Sequence, residues 1–339
     1  MRWGVCLLLL GAATVFAEEN EAPILACYEL DDIQQRLQCY DRVAKSLGEE
    51  DEPQTSAIEA HHEDPLGDIR QPSDIDKRLE FETSLSDNRF LIIPHKPNYL
   101  LLYSYVDDPN EMPHSPTREP IMELESQKHS ETKFQISFKV QLARNFIPEP
   151  MSLWFAYTQV SFWQLYNQSL SAPFRETNYE PELIFLFRNN LSLFGYTSEH
   201  YVLGLSHQSN GRTEPASRSW NRIYTAFLFN QGSMTFSVKP WWRLPESGDD
   251  DDNPDIHNYM GYAEFGATYK HDENVASLRL FNNFRRNDNH TTVQLSYSFP
   301  LQGRLKGYIE YYDGYGESLI DYNHRTQRIG FGVLLTDWY

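Results

Sequence analysis

Beyond Ala17 the chain lacks any run of about 20 apolar residues, the length a helix needs to cross a bilayer, so a helical membrane protein is excluded. Positive charge is also short. Lys and Arg total 29 against 48 Asp and Glu, for a formal net charge of -19. Nothing here neutralises a run of phosphates, which argues against nucleic acid as a partner and permits a divalent cation. Cysteine is scarce, with 3 in 339 residues, so no disulfide scaffold or thiolate-rich metal site can be built. Mean hydropathy is only -0.59. Aromatic residues are plentiful instead, at 14%, with 21 Tyr, 20 Phe and 7 Trp. Low hydropathy with many aromatics suits a transmembrane β-barrel, where only alternate residues are apolar and aromatics gather at the two interfaces. A soluble β-sandwich has a similar composition, so the decision falls to the pattern along the chain.

Residues 1–17 read as a signal peptide. Arg2 gives the positive end, Val5 to Leu10 the apolar core, and Val15-Phe16-Ala17 a small-residue cleavage site. Cys6 precedes the apolar core, which argues against a lipid-modified cysteine. Cys27 and Cys39 then remain as one pair in an oxidising compartment, and a bridge between them is expected. Residues 18–47 form a Cys-containing helical segment, with Leu30, Ile33 and Leu37 on one stripe. One straight helix would set the two cysteines roughly 18 Å apart, and a bridge needs Cα atoms within about 7 Å. The bridge therefore requires Cys27 to fold back. Residues 48–87 turn acidic and polar, as in Glu49-Glu50-Asp51-Glu52-Pro53, and read as a disordered periplasmic linker. Its His61-His62-Glu63-Asp64 run reads as a solvated loop in preference to a metal site.

Residues 88–339 change character. Alternating segments of about ten residues are separated by polar turns. They run over Tyr99–Val106, Lys133–Arg144, Leu153–Tyr166, Glu182–Asn190, the segments ending at Ser209 and starting near Asn221, Thr235–Leu244, Tyr259–Lys270, Val275–Asn282, Thr292–Phe299, Arg304–Asp313 and Arg328–Tyr339. About twelve strands, an even number, suit a closed bacterial barrel. The expected fold is all-β: a transmembrane antiparallel barrel behind a short helical and disordered periplasmic extension. Glu264, Lys239, Arg304, Lys306 and Glu310 fall on the inner face, where a narrow barrel would pair them. Ile329, Phe331, Val333 and Leu335 face outward, and the chain ends on the aromatic Tyr339.

One stretch carries candidate chemistry: His207-Gln208-Ser209-Asn210-Gly211-Arg212, followed by Ser217-Arg218-Ser219-Trp220-Asn221-Arg222. Residues two apart on a strand share a face. His207 and Ser209 therefore join Leu203 and Leu205 on the apolar side, and Asn221 joins Ile223 and Thr225 on the next segment. A serine hydroxyl is a weak nucleophile and needs a base, which His207 can supply. The base needs a group to fix its tautomer, and the Asn221 side-chain carbonyl can do this without a charge. That matters on a lipid face, where a carboxylate would cost several kcal/mol more than an amide. No Lys or Arg on this face can stabilise an oxyanion. Oxygens of Ser217, the Arg212 carbonyl and the Asp249-to-Asp255 loop offer hard ligands suited to Ca²⁺.

Long ordered motifs match a known family. They are Tyr157-Thr158-Gln159, Pro173-Phe174-Arg175-Glu176-Thr177-Asn178-Tyr179-Glu180-Pro181, the whole His207-to-Asn221 block, Asp252-Asn253-Pro254-Asp255-Ile256 and Gly314-Tyr315-Gly316-Glu317-Ser318-Leu319-Ile320-Asp321-Tyr322-Asn323. From about Asn88 to Tyr339 the chain resembles bacterial outer-membrane phospholipase A. The resemblance implies a twelve-stranded outer-membrane barrel and calcium-dependent hydrolysis of sn-1 and sn-2 acyl esters of membrane phospholipids. It also implies lysophospholipase activity and activation by homodimerisation. It makes His207 the base, Ser209 the nucleophile, Asn221 the orienting group and the Gly211 N–H an oxyanion donor. It assigns calcium to Arg212 and Ser217 of one subunit and Ser171 of the other, with Asp252 in an alternative monomer site. Gln159 matches a polar group on a flat dimer wall. Gln208, Glu214 and the extra acids Asp249 to Asp251 depart from the family pattern. Two other readings compete: a lipid A deacylase-like barrel, expected to have fewer strands and a carboxylate in place of Asn221, and a non-catalytic barrel with its polar groups inside.

Overall fold

Strands of 9 to 20 residues carry the alternating pattern and close on themselves. The computed structural model describes residues 27, 35–36, 38–40, 77–78, 82, 91–121, 127–144, 151–248, 250–303 and 305–337. The signal peptide, the His61–Asp64 run, most of the linker, Asp249, Arg304 and Tyr339 lie outside the described residues. The long strands are β1 (Asn98–Val106), β2 (Ser130–Arg144), β3 (Met151–Trp163), β4 (Phe174–Leu193), β5 (Tyr196–Ser209), β6 (Ser219–Gln231), β7 (Met234–Arg243), β8 (Ala263–His271), β9 (Asn274–Asn282), β10 (Thr291–Pro300), β11 (Lys306–Gly314) and β12 (Thr326–Thr336). Each pairs antiparallel with the next, and β12 pairs with β1 to close the barrel. Ile93–Pro94 adds a two-residue pairing on β2.

Two expectations shift. Alternation predicts a strand at Tyr259, yet Ile256–Met260 is a short helix, α1, and β8 begins at Ala263. Ile256 and Tyr259 are three apart, a spacing that puts both on one side of a helical turn. They pack against Trp220, Trp241, Phe281 and Tyr322 in an aromatic cluster. In the other case, β4 begins at Phe174 and not near Glu182. Its first half points Arg175, Glu176 and Asn178 into the lumen, where they are buried. Charged inward residues and Pro181 hide the strand from a search for apolar alternation.

The lumen is a network of paired charges. Glu131 takes Arg175 at 3.1 Å and Arg328 at 2.5 Å. Lys133 bridges Glu310 at 2.6 Å and Glu317 at 3.0 Å. Of the charges expected inside, Glu310 is fully buried, Glu264 pairs with Arg279 at 2.8 Å and Lys306 with Asp337 at 3.1 Å. Lys239 stands 3.8 Å from Glu182. A buried charge stripped of its partner keeps its desolvation cost and loses the attraction that offset it. Glu131→Ala, which leaves Arg175 with Asp321 alone and Arg328 with Glu317 alone, is expected to destabilise the barrel by about 3 kcal/mol. Urea unfolding of the reconstituted protein measures this, and an unmoved midpoint would contradict it.

The outer wall is apolar. Leu205, Phe331 and Leu335 are 42%, 47% and 59% exposed in the isolated chain, values that only a lipid environment reconciles with their chemistry. Connections at one end are tight, such as the turn between Leu193 and Tyr196, while those at the other are long, such as 107–129 and 244–262. At the short-turn end, within the stretch expected to be linker, residues 77, 78 and 82 are helical and Glu82 is buried. Glu82 pairs with Lys139 at 2.6 Å and Arg78 at 2.9 Å. Barrel contacts therefore begin before residue 88. In the separate unit of residues 1–69, Cys27 and Cys39 form a disulfide with Cα atoms 5.5 Å apart, in place of the separation one straight helix would impose.

Candidate active site

Register brings the candidate residues together. β5 and β6 pair His207 directly with Asn221 and Ser209 with Ser219. His207 Nδ1 and Asn221 Oδ1 are 2.8 Å apart. Leu203, Leu205 and His207 are exposed while Gly204 and Ser206 between them are buried, so His207 stands on the outer wall. With Nδ1 engaged by Asn221, Nε2 is the nitrogen left for a neighbour. Ser209 shares the ring's face, and among the described residues its hydroxyl makes no hydrogen bond to that ring. Such contacts commonly tighten only when substrate is bound.

The lumen side holds this register. Gln208, between His207 and Ser209, points inward and accepts from Trp220 Nε1 at 2.8 Å and from Arg222 at 3.2 Å. Arg222 lies 4.0 Å over the Trp220 ring and pairs with Glu180 at 2.7 Å. Inward Trp220 and Arg222 flank outward Asn221, so a rigid inner clamp fixes the outer pair.

Beyond Ser209 the chain turns through Asn210, which is buried. Its side chain donates to the Ala216 carbonyl at 2.8 Å and accepts from the Arg218 amide at 3.0 Å and the Arg212 amide at 3.3 Å. These bonds shape a loop in which Gly211 has φ 65, a backbone state that favours glycine. A Cβ at Gly211 would also meet the Tyr179 ring at 3.1 Å. The Arg212 side chain reaches back to the Arg175 carbonyl and to Glu176, 3.1 Å away.

The candidate calcium ligands are partly assembled. Ser217 Oγ donates to Asp252 Oδ2 at 2.6 Å. The other oxygen of Asp252 accepts from Arg118 Nη2 at 2.7 Å and Nε at 3.0 Å. Asn253 Oδ1 accepts from the Ser219 amide at 3.1 Å, tying this loop to the start of β6. Asp251 pairs with Arg243 at 2.6 Å, and Asp250 accepts from Ser247 at 2.5 Å. These acids are thus engaged by neighbours. Ser171 is exposed and left-handed, with φ 60 and ψ 34, after the single turn Gln168–Leu170 between β3 and β4. Gln159 pairs with Tyr179 and Tyr179 with Ser209, so all three lie in one row across the wall. At about 4.8 Å between strands, Gln159 sits roughly 10 Å from Ser209.

Two participants escaped the sequence reading. Asn210 carried a signal, because an Asn before Gly marks a turn. Glu246 carried none; its carboxylate accepts from Asn221 Nδ2 at 3.0 Å. Burial raises the Glu246 pKa, and nearby Asp251 and Asp252 add to that rise, while the Asn221 hydrogen bond and Arg243 oppose it.

The model of the phospholipase A1 family matches residues 75–335. The chain belongs to the phospholipase A1 family. A phospholipase A1 homologue of Neisseria meningitidis is 35% identical over 377 residues, spanning 99% of this chain and 96% of its own. The Salmonella typhi outer-membrane phospholipase, solved as a dimer with bound calcium, superimposes with a TM-score of 0.68 at 37% identity, covering 76% of this chain and 97% of that one. The Escherichia coli outer-membrane phospholipase A carrying an active-site asparagine-to-alanine change gives a TM-score of 0.66 at 36% identity, over 75% and 95% of the two chains. The family therefore accounts for the closed barrel and its apolar wall: this is an outer-membrane protein, and its family is one of carboxylic ester hydrolases.

Proposed function

We propose that the protein is a calcium-dependent phospholipase that hydrolyses sn-1 and sn-2 acyl esters of phospholipids and lysophospholipids at its lipid-facing wall, and that it is active as a homodimer. The observation that carries this reading is the 2.8 Å contact between His207 Nδ1 and Asn221 Oδ1 on the apolar face beside Ser209. The Asn221 oxygen accepts from Nδ1–H, which leaves the Nε2 lone pair free for the Ser209 proton. Ser209 Oγ then attacks the ester carbonyl, and the Gly211 N–H donates to the oxyanion. His207 returns the proton to the departing glycerol oxygen, giving an acyl-serine and the deacylated lipid. Water, deprotonated by the same ring, releases the fatty acid and restores the hydroxyl.

The Ser217 hydroxyl, the Arg212 carbonyl and Ser171 of the partner subunit would hold calcium, with Asp252 serving in the monomer. The donor set fits the ion: these are hard oxygens, and Ser217 and Asp252 already converge. Bound calcium supplies positive charge at a site that has no other cation on its apolar face. Arg118 on Asp252 competes with the ion for that carboxylate.

Pairing completes both the ligand set and an acyl groove along the row of Gln159, Tyr179 and Ser209. Cross-linking in mixed micelles, with hydrolysis followed in the dimeric and monomeric fractions, tests this. Activity is expected in the dimer alone; equal turnover in the monomer would sink the dimer reading. Regioisomeric labelled phospholipids read the sn-1 and sn-2 specificity, and release from one position only would narrow it.

A further inference from the structure

Glu246 sits where the proposed site meets water. β7 ends at Arg243, and the next amide, of Leu244, donates to the Asn221 carbonyl at 2.8 Å. Pro245 follows, and the turn delivers the Glu246 carboxylate to the Asn221 side chain, where it accepts from Nδ2 at 3.0 Å. A half-buried acid with one hydrogen bond to the very amide that faces the candidate base is an arrangement the catalytic reading leaves unexplained.

An asparagine amide has nearly equal bulk at its two ends. Rotation by half a turn exchanges oxygen for NH₂ with little steric change. For His207 the two orientations are not equivalent. Oxygen toward Nδ1 requires Nδ1–H and leaves Nε2 as an acceptor able to take the Ser209 proton. NH₂ toward Nδ1 selects the opposite tautomer, with Nε2 protonated and unable to act as base. A carboxylate is acceptor-only, so only the NH₂ end of Asn221 can face it. Glu246 thereby dictates which end faces His207.

We propose, resting on the catalytic reading above, that Glu246 is a positioning residue: its carboxylate locks the Asn221 amide oxygen onto His207 and so sets the tautomer of the base. The arrangement also resolves a conflict of environment. A carboxylate in direct contact with the ring would stand among acyl chains, at high desolvation cost. Here the lipid wall carries a neutral amide, and the charge stands one hydrogen bond away, on the loop between β7 and α1. The charged groups around Glu246 are Asp251, Asp252 and Arg243. Arg243 is itself paired with Asp251 at 2.6 Å, so the nearby cation is already engaged. The negative end of the chain also favours the imidazolium that forms as Ser209 attacks.

The test compares Glu246→Ala and Glu246→Gln with the unchanged full-length protein, in calcium-loaded mixed micelles of phosphatidylcholine. Glu246→Ala is expected to lower kcat about ten-fold with KM unchanged, the loss of one charge-assisted hydrogen bond felt in the transition state. Glu246→Gln can turn either end of its own amide to Asn221 and carries no charge, so it is expected to recover only a small part of that loss. The nitrogen shifts of the His207 ring give a readout that a merely structural role would not move. They should show Nδ1–H in the unchanged protein and a mixture of tautomers in both Glu246→Ala and Glu246→Gln. This NMR measurement needs only the folded barrel, whose integrity is read separately from heat-modified gel mobility. Unchanged kcat and an unchanged tautomer in Glu246→Ala would overturn the inference, as would a loss confined to KM. If Ser209→Ala retains activity, the catalytic reading itself falls. If Ser209→Ala is inactive while Glu246→Ala is unaffected, only the role of Glu246 falls.

Discussion

Ser209→Ala is expected to lower phospholipid hydrolysis by roughly 10⁴-fold or more, the scale on which a nucleophile lost from a coupled hydroxyl–imidazole pair is felt. The substitution removes one oxygen from a half-buried side chain at the end of β5. The inner clamp of Gln208, Trp220 and Arg222 is untouched, so the barrel should assemble as before. Fatty-acid release by the purified variant measures the effect, with heat-modified mobility as the control for folding. A channel or structural barrel would not respond. An active Ser209→Ala protein would remove the hydrolytic reading altogether, because Ser209 is the serine two residues from His207 on the ring's own face.

Calcium removal is expected to have the second largest effect, a loss of about 10²- to 10³-fold, comparable to deleting an oxyanion donor. The same range is expected for Ser217→Ala at limiting calcium, since it deletes a hard oxygen from a site with few full charges. Raising calcium should restore much of the Ser217→Ala loss. That recovery separates a weakened site from a damaged fold. Asp252 is held by Arg118 and by Ser217 itself, so the variant also frees one carboxylate oxygen. Full turnover in excess chelator would end the calcium reading, and binding measured by calorimetry on the Ser217→Ala protein gives a second check independent of turnover.

The sequence went far where local rules govern. Strict two-residue periodicity set Leu203, Leu205, His207 and Ser209 on one face, and it set Ile329, Phe331 and Leu335 outward, because a pleated strand leaves no choice. It faltered where polar lumen contacts replace apolar alternation. Arg175 and Glu176 belong to β4 only because Glu131, Asp321 and Arg212 across the barrel partner them. Tyr259 fits both a strand and a helical turn, and the aromatic cluster around Trp241 and Tyr322 decides for the turn.

Chain order alone thus determined the closed, alternating barrel and the outward placement of the candidate base and nucleophile, since both follow from the geometry of one strand. It could not set the pairing of His207 with Asn221, because that register depends on how the loop held by Asn210 returns the chain to β6. Nor could it set Arg118 on Asp252, 134 residues away, or bring Glu246 to the Asn221 amide. Those contacts cross between loops whose ends are placed only when the sheet has closed, and closure is a property of all the strands together.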